Sequence, residues 1–242
     1  MKLSLPDYLF PVVCMLAGLV SQYSGLDIGL ERFFYDEQQH LWPYQDSWLT
    51  EDILHKGGRD AVALVIISML LFFIATLFSK GLMQYRRTAG FMLLSSLTGI
   101  GLVAALKSIT HIYTPWELQV FGGQYPDIRL FDTVADGLPV GHAFPAGHAS
   151  GGYALLSMYF AARSHQYRHS RRLLYFALGM GLLFGIAQQM RGAHMLSHDL
   201  FTLAICWSSC LVWSALLLPA GKDGEVIAGV QKDGSSPDRL GD

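Results

Sequence analysis

The fold is decided by residues 173–218, which read LLYFALGMGLLFGIAQQM, then RGAHMLSHD, then LFTLAICWSSCLVWSALLL. Each outer run is apolar and about as long as the roughly 20 residues that a helix needs to cross a bilayer. The stretch between them, residues 191–199, holds an arginine, two histidines and an aspartate. Ionisable groups at membrane depth are costly and usually face a protein interior or a watery cavity. This stretch therefore predicts a functional site, and the rest of the chain is interpreted around it.

The composition is that of an integral membrane protein. Of the 242 residues, 52% are hydrophobic and only 15% are charged, which is unusual for a soluble domain. The net charge of -2 leaves no basic excess for a nucleic-acid partner. The three cysteines all fall inside apolar segments, where they are expected to pack as small hydrophobic residues and not to form disulfides or a zinc site.

The apolar runs predict an all-α integral membrane bundle of six transmembrane helices. The predicted spans are 8–26, 61–80, 88–107, 145–165, 173–191 and 197–218. They form one membrane domain over residues 1–220, and the first span is expected to remain uncleaved. Residues 221–242 are rich in Gly, Ser, Pro, Asp and Lys and nearly free of large apolar residues, so a disordered tail is predicted there.

The distribution of Lys and Arg predicts the orientation of the spans. Most of these residues lie near the N-terminus, in the 80–87 and 163–172 loops, and in the tail. Basic residues accumulate in short cytoplasmic loops, so both termini are predicted to be cytoplasmic. The protein is accordingly predicted to lie in a bacterial-type inner membrane, with the loops at 27–60 and 108–144 on the periplasmic side.

These two outer loops differ in composition. The first is rich in aromatic and acidic residues, as expected for a segment at the membrane interface, and its His40 and His55 are expected to be ordinary solvated histidines. The second is rich in Gly, Pro and aromatic residues, which favours an ordered cap with tight turns. We expect this cap to lie over the site and to contact the substrate.

Three polar clusters fall at the same predicted depth on the outer side. They are Lys107, residues 145–148 (Pro-Ala-Gly-His) and residues 191–199. Lysine and arginine neutralise phosphate oxygens, and Gly147 and Gly192 would let backbone N–H groups approach an anion. Histidines at these positions suit nucleophilic attack on phosphorus and protonation of the leaving oxygen. The pattern therefore indicates binding and transfer of a phosphate.

The same residues resemble the three motifs of the type 2 phosphatidic acid phosphatase superfamily. The matching segments are Lys107-x6-Thr114-Pro115, Phe144-Pro145-Ala-Gly-His148 and Gly192-Ala-His194-x3-His198, and the resemblance covers roughly residues 60–218. It implies a six-helix core with its site at the outer surface. It also implies that His194 is the nucleophile that becomes a phosphohistidine, that His148 is the general acid, and that Lys107 binds phosphate.

The chain departs from the family pattern at several motif positions. Thr114 replaces an arginine, Ala146 a serine, Ala187-Gln188 a serine and an arginine, and His198 an aspartate. If residues 191–198 are helical, Arg191 shares a face with His194 and supplies the missing guanidinium. On the same assumption His198 lies one turn from His194 and orients it, and Asp199 is the alternative if the helix begins after Ser197.

The leading functional prediction is hydrolysis of a lipid phosphomonoester or lipid pyrophosphate in the outer leaflet. A phosphotransferase that uses the same intermediate is an alternative, as is an anion-binding or transport protein without chemistry. No cofactor is expected. No metal is expected either, since a histidine that attacks phosphorus cannot give the same lone pair to a metal. Phosphatidic acid, phosphatidylglycerol phosphate, isoprenyl pyrophosphate and lipid A phosphate would all present the same head group to these residues, and the sequence leaves the oligomeric state open.

Overall fold

The computed structural model describes residues 3–218, and within this range the protein is all-helical, with 69% of the residues in helices. Eight α-helices are described here, and we number them in chain order. They are α1 (Leu5–Ser24), α2 (Leu26–Glu31), α3 (Gly58–Phe78), α4 (Arg86–Lys107), α5 (Gly147–Ala154), α6 (Leu156–Ser164), α7 (Ser170–Met190) and α8 (Leu196–Leu217). A π-helical segment, Trp48–Gly57, runs directly into α3, and short 3-10 turns lie at Met83–Tyr85, Pro115–Glu117 and Gln119–Phe121.

Five helical stretches in the described range are long and apolar enough to cross a membrane. They are Leu5–Ser24, Trp48–Phe78, Met83–Lys107, Ser170–Met190 and Leu196–Leu217. The prediction of a helical membrane protein is confirmed, whereas the count of six spans is not. The predicted span at 145–165 is divided after Ala154 into α5 and α6.

The first half of this span packs closely on α7. A Cβ atom added to Gly152 of α5 would overlap the backbone of Gly181 in α7, and one added to Gly181 would overlap the ring of Tyr153. Residues 149–154 are all buried. The segment is therefore built from small residues that let backbones approach each other inside the bundle. Four of the five other stretches instead expose many apolar side chains, whereas Leu196–Leu217 exposes only Val212 and Leu216 among its large apolar residues.

One end of the bundle is held together by Asp7, near the start of α1. Its carboxylate accepts hydrogen bonds from the Ser4 amide and hydroxyl, both at 2.7 Å, which caps the helix. Arg163 of α6 donates two further hydrogen bonds to this carboxylate, at 2.6 and 2.9 Å. Trp207 of α8 donates to the Asp7 carbonyl at 2.9 Å. These contacts connect α1, α6 and α8 at the end of the bundle away from the predicted site.

The opposite end gathers the helix termini that carry the motif residues. Helices α4 and α8 run antiparallel: Ser209 donates to the Ser95 carbonyl at 2.8 Å, whereas three residues earlier in α8 Cys206 packs on Gly99, whose added Cβ atom would lie 3.4 Å from the Cys206 Cα atom. The last residue of α4 therefore lies at the same end of the bundle as the first turn of α8. Helix α5 begins there as well, because its N-cap amide, Ala146, donates to the His198 carbonyl at 3.3 Å.

An aromatic cap covers this end and contains residues from both predicted outer loops. Its buried members are Tyr35, Trp42, Tyr113, Leu118, Phe121, Ile128 and Met195. The predicted ordered cap is thus present, and the first loop also contributes to it, through Tyr35 and Trp42. No membrane defines sides in the structure, so the orientation of the protein stays a prediction. Residues 1–2 and the predicted tail at 221–242 lie outside the described residues.

Candidate active site

Lys107 and Gly147 meet where α4 ends and α5 begins. The Nζ atom of Lys107 lies 3.6 Å from the position that a Cβ atom on Gly147 would occupy. Lys107 is the last residue of α4, and Gly147 is the first residue of α5. The absence of a side chain at Gly147 thus allows the lysine ammonium to approach the N-terminus of α5. The ammonium group and the positive end of the helix both favour an anion at this point.

His148 follows directly in α5 and lies beside the same lysine. Its ring also packs against the ring of His55, with a centroid separation of 4.0 Å and an interplanar angle of 50°. His55 comes from the π-helical segment, so the prediction that it is an ordinary solvated loop histidine is wrong. A helical turn starting at Trp48 extends the apolar α3 into the outer loop and brings His55 onto the site.

His194 lies between α7 and α8 and is almost fully buried, with 3% of its surface exposed. Burial lowers its pKa well below the ordinary value, and positive charge on Lys107, His198 and His148 lowers it further. The imidazole is therefore neutral near pH 7, which is the state that a nucleophile requires. Its Nδ1 atom is buried without a hydrogen-bond partner in the described part of the chain.

The helical relation assumed between residues 191 and 198 is wrong. Helix α7 ends at Met190, Gly192 has a positive φ of 73°, and α8 begins only at Leu196. His194 therefore lies on a bend in the chain and not one turn before His198 on a shared helix. His198 nevertheless approaches it, with 5.8 Å between the two ring centroids.

His198 and Asp199 point in different directions from the first turn of α8. His198 is fully buried against the edge of Phe144, and within residues 3–218 neither of its ring nitrogens has a hydrogen-bond partner. Asp199 lies over Gly185 of α7 and accepts a hydrogen bond of 2.6 Å from Gln189. The geometry thus brings His198 toward His194 and turns Asp199 toward α7.

Arg191 is buried, with 7% of its surface exposed, and each of its guanidinium nitrogens has a protein partner. Nε donates to the Gln45 carbonyl at 2.8 Å, Nη1 donates to Gln188 at 3.2 Å, and Nη2 forms an ion pair with Glu51. The arginine therefore connects the end of α7 to the first outer loop. Sequence reasoning placed it on a shared helical face with His194, where its fork would be open to phosphate.

Gly192 also makes contacts that the sequence did not indicate. Its amide donates to the Gln189 carbonyl at 2.8 Å, and its carbonyl accepts from the Trp116 amide at 3.1 Å. A Cβ atom at this position would overlap the ring of Trp42. The glycine is thus required by its positive φ and by the aromatic cap, and its N–H group is already bonded.

The motif departures have local structural roles. Thr114 and Glu117 form a capping box, with the Thr114 hydroxyl donating to the carboxylate at 2.6 Å. Ala146 is fully buried and caps α5. Gln188 stands where the family motif has an arginine, and it accepts the hydrogen bond from Arg191 described above. The substituted positions therefore support the loops around the site.

Glu51 and His55 are site residues that sequence reasoning missed. Glu51 accepts a hydrogen bond of 2.9 Å from His55 Nδ1 and forms the ion pair with Arg191. The only available signal was their spacing, since residues four apart share a face of a helix. The composition of this loop predicts a short amphipathic segment at the membrane interface with solvated histidines, and it gives no reason to connect this segment with the site.

Two buried carboxylates of α2 lie behind the histidines. Asp27 accepts hydrogen bonds from the Ser21 hydroxyl at 2.6 Å and the Ser197 amide at 3.0 Å. Glu31 is fully buried, and neither of its carboxylate oxygens has a hydrogen-bond partner in the part of the chain that the structure describes. Burial, and then negative charge on Asp27 and Asp199, raise the pKa of Glu31 well above its usual value. No group of three or more His, Cys, Asp or Glu residues between residues 3 and 218 is arranged to hold a metal ion.

A mostly apolar cavity of about 170 Å³ adjoins His148. Leu54, Val62, Ile100 and Phe184 form its apolar wall, and His148 lies at its polar part together with the exposed Arg59. The walls come from the π-helical segment, α3, α4, α5 and α7. An apolar chain attached to an anionic head group fits this arrangement.

Comparison with protein families gives one informative result for this chain. A sequence model described as the PAP2 superfamily matches residues 88–221, which is more than half of the 242 residues. The matched range includes Lys107, His148, His194 and His198, but not Glu51 or His55. Comparison with curated proteins and with solved structures gave no match.

Proposed function

The chain belongs to the PAP2 superfamily, and from this membership we propose that it hydrolyses a lipid phosphomonoester or lipid pyrophosphate through a phosphohistidine. The superfamily supports phosphatase-type activity on phosphate esters, and the apolar helices support a membrane protein. We add three parts to this: a lipid substrate, a covalent intermediate and a site on the periplasmic face.

The main support is the meeting of Lys107, His148 and His194 at one end of the bundle. They come from the end of α4, the start of α5 and the bend before α8. Lys107 and His148 both lie close enough to His194 for their charges to lower its pKa. A cation, a proton donor and a neutral buried nucleophile around one space are the parts that phosphoryl transfer requires.

In the proposed first step, Nε2 of His194 attacks phosphorus while the bond from phosphorus to the leaving oxygen breaks. The electron pair stays on that oxygen, which takes a proton from His148. In the second step water attacks the phosphohistidine, the P–N bond breaks, and its electron pair returns to His194. The water proton passes to His148, so both histidines regain their initial states. Lys107 neutralises phosphate oxygens throughout, whereas Arg191 is paired with Glu51 and holds the first outer loop.

His198 is proposed as the orienting residue for His194, in place of the family's aspartate. Its ring lies 5.8 Å from that of His194 between centroids, whereas Asp199 is bonded to Gln189 and packed on Gly185. In this assignment Asp199 stabilises the packing of α8 on α7. The glycine at 147 keeps the start of α5 open for a phosphate beside Lys107.

The apolar cavity supports a lipid substrate over a soluble phosphate ester. A tail in the cavity beside Leu54, Val62 and Phe184 would place its head group at His148. Each buried methylene of such a tail contributes about 0.8 kcal/mol to binding. A soluble ester of the same reactivity lacks this contribution.

The experiment is phosphate release by the purified protein in detergent or vesicles. Candidate substrates are phosphatidic acid, phosphatidylglycerol phosphate, an isoprenyl pyrophosphate and a lipid A phosphate. We expect release from at least one lipid, loss of release in His194→Ala, and slower release from a soluble ester. Absence of release from every lipid would contradict the proposal and leave anion binding without chemistry. Transfer of phosphate to an added lipid or sugar hydroxyl, without release to water, would identify a phosphotransferase instead.

A further inference from the structure

The π-helical segment Trp48–Gly57 brings one carboxylate to a meeting point of three basic side chains. Glu51 forms an ion pair with Arg191, accepts a hydrogen bond of 2.9 Å from His55, and lies 3.3 Å from Lys56. The side chains of Glu51 and His55 are only 20% and 24% exposed. The group is therefore partly removed from water, where charge-assisted hydrogen bonds are stronger than on an open surface.

The same segment places an imidazole directly on the proposed proton donor. The rings of His55 and His148 have centroids 4.0 Å apart. Because Glu51 accepts the hydrogen bond at Nδ1 of His55, that nitrogen carries the proton and Nε2 is left unprotonated in the neutral ring. The position and tautomer of His55 are thus fixed by a neighbour on its own helical turn.

The position of Glu51 is fixed in turn from outside the segment. Arg191 holds the carboxylate, and it is itself held by the Gln45 carbonyl and by Gln188 of α7. A continuous series of contacts therefore runs from α7 through Arg191, Glu51 and His55 to His148. Within residues 3–218, no other histidine ring packs against the ring of His148.

Given the proposed phosphatase reaction, on which this inference rests, we propose that Glu51 and His55 form a positioning pair for His148. The pair limits the rotamers of the His148 ring and directs it toward the leaving oxygen. General acid catalysis depends on such placement, because the donor must lie within hydrogen-bond distance of the atom it protonates. The pair acts through His148. Substitutions in the pair should therefore have little effect on any reaction that does not depend on His148.

The test combines three variants with two kinds of leaving group. His55→Phe keeps a ring against His148 but loses the bond to Glu51, His55→Ala loses both, and Glu51→Gln removes the charge that binds Arg191. We expect turnover of an alkyl lipid phosphate to fall by about 10- to 100-fold, less than the ~10² to 10⁴-fold that a general acid itself contributes. Turnover of an aryl phosphate, whose leaving group needs little protonation, should fall by less than about 3-fold. Glu51→Asp should retain more activity than Glu51→Gln.

A double-mutant cycle separates positioning from a general structural role. In a His148→Ala background, His55→Ala should have little further effect, because residues that act as one unit are strongly non-additive. The matched control is Asp52→Asn on the same segment, which breaks an exposed ion pair of 2.9 Å to Lys56 and should leave both activities unchanged. Thermal unfolding of each purified variant shows whether the fold is retained. The His55→Phe substitution is the milder change, because it keeps a ring at this position.

Equal losses with alkyl and aryl substrates, or additive effects of His55→Ala and His148→Ala, would overturn the positioning role. These outcomes differ from failure of the proposed function. If the protein is not a phosphatase, the wild type itself releases no phosphate and His194→Ala changes nothing. If only the positioning pair is wrong, the wild type is active, His194→Ala is inactive, and the His55 variants show no dependence on the leaving group.

Discussion

At the scale of single residues, the surroundings of His194 determine what it can do. Burial and the nearby charge of Lys107 both favour its neutral form, and a neutral imidazole is the form that attacks phosphorus. Lys107 thus has two effects on the proposed reaction. It binds the phosphate, and it keeps the nucleophile unprotonated as the pH falls.

The first prediction concerns the acidic side of the pH profile. Because the folded pKa of His194 lies below the usual ~6.5, kcat/KM should not fall by half as the pH is lowered from 7 to 6. Lys107→Gln removes one cause of the lowered pKa, so its acidic limb should move to higher pH in addition to the loss of phosphate binding. A wild-type limb centred near pH 6.5, or an unchanged limb in Lys107→Gln, would contradict this account.

The second prediction separates His198 from Asp199. His198→Ala should reduce turnover strongly, whereas His198→Asp restores the family residue and should retain more activity. Asp199→Asn should affect mainly thermal stability, since its partner Gln189 belongs to the packing of α7 on α8. Steady-state turnover and thermal unfolding of the three variants give the answer. Full activity in His198→Ala, combined with an inactive and folded Asp199→Asn, would transfer the orienting role to Asp199.

At the scale of helices, much of the architecture could be predicted from hydropathy, but the break in the central span and its enclosure by other helices could not. The five stretches that are long enough to cross a membrane carry continuous apolar runs, which is the signal that identifies a span. The predicted span at 145–165 is enclosed by α4, α7 and α8, so it contains the small residues of a close helix interface. Contact between Gly152 and Gly181 is a tertiary feature, and no periodicity in the local sequence shows it.

The third prediction tests that contact. Gly152→Ala should lower stability by about 1–3 kcal/mol, the usual cost of an overpacked core, because the new methyl group would overlap the α7 backbone. The matched control is Gly179→Ala on α7, where a Cβ atom meets nothing within 4 Å and stability should not fall. Thermal unfolding in one detergent measures both. Equal stability of the two variants would show that α5 and α7 are not packed this closely.

The sequence allowed only those site residues to be predicted that lie in recognisable motifs. Lys107, His148 and His194 lie within motifs whose order and spacing are visible in the chain, so their roles could be proposed directly. His55 lies 93 residues before its partner His148, and Glu51 lies 140 residues before its partner Arg191. Arg191 was noticed because of its motif, but its partners were not, since only the folded loop brings Gln45 and Glu51 to it.

At the scale of the whole molecule, the two ends of the bundle serve different purposes. One end is closed by the bonds of Asp7 to Arg163 and Trp207. The other end contains the site and keeps several buried polar groups, including Glu31, without partners in the described residues. Such groups cost stability, and functional sites are where proteins retain them.

The fourth prediction follows from Glu31. Its pKa is raised in the folded protein, so the folded state binds more protons than the unfolded state above the unfolded pKa of about 4.3. The contribution of this group to stability is therefore present below that value and is lost as the pH rises through the folded pKa. Glu31→Gln should make the melting temperature fall less between pH 5 and 8, whereas the exposed Glu37→Gln should leave the slope unchanged. An identical slope in wild type and Glu31→Gln would refute the raised pKa.

The central claim is that phosphate passes through His194, and trapping the phosphoenzyme tests it most directly. The wild-type protein is mixed with a lipid phosphate labelled in the phosphoryl group, quenched under alkaline conditions within a single turnover, and digested for peptide mapping. We expect label on His194 that appears before free phosphate and is absent in His194→Ala. Turnover of the lipid in the wild type with label on another residue, or with no covalent label during rapid phosphate release, would contradict it.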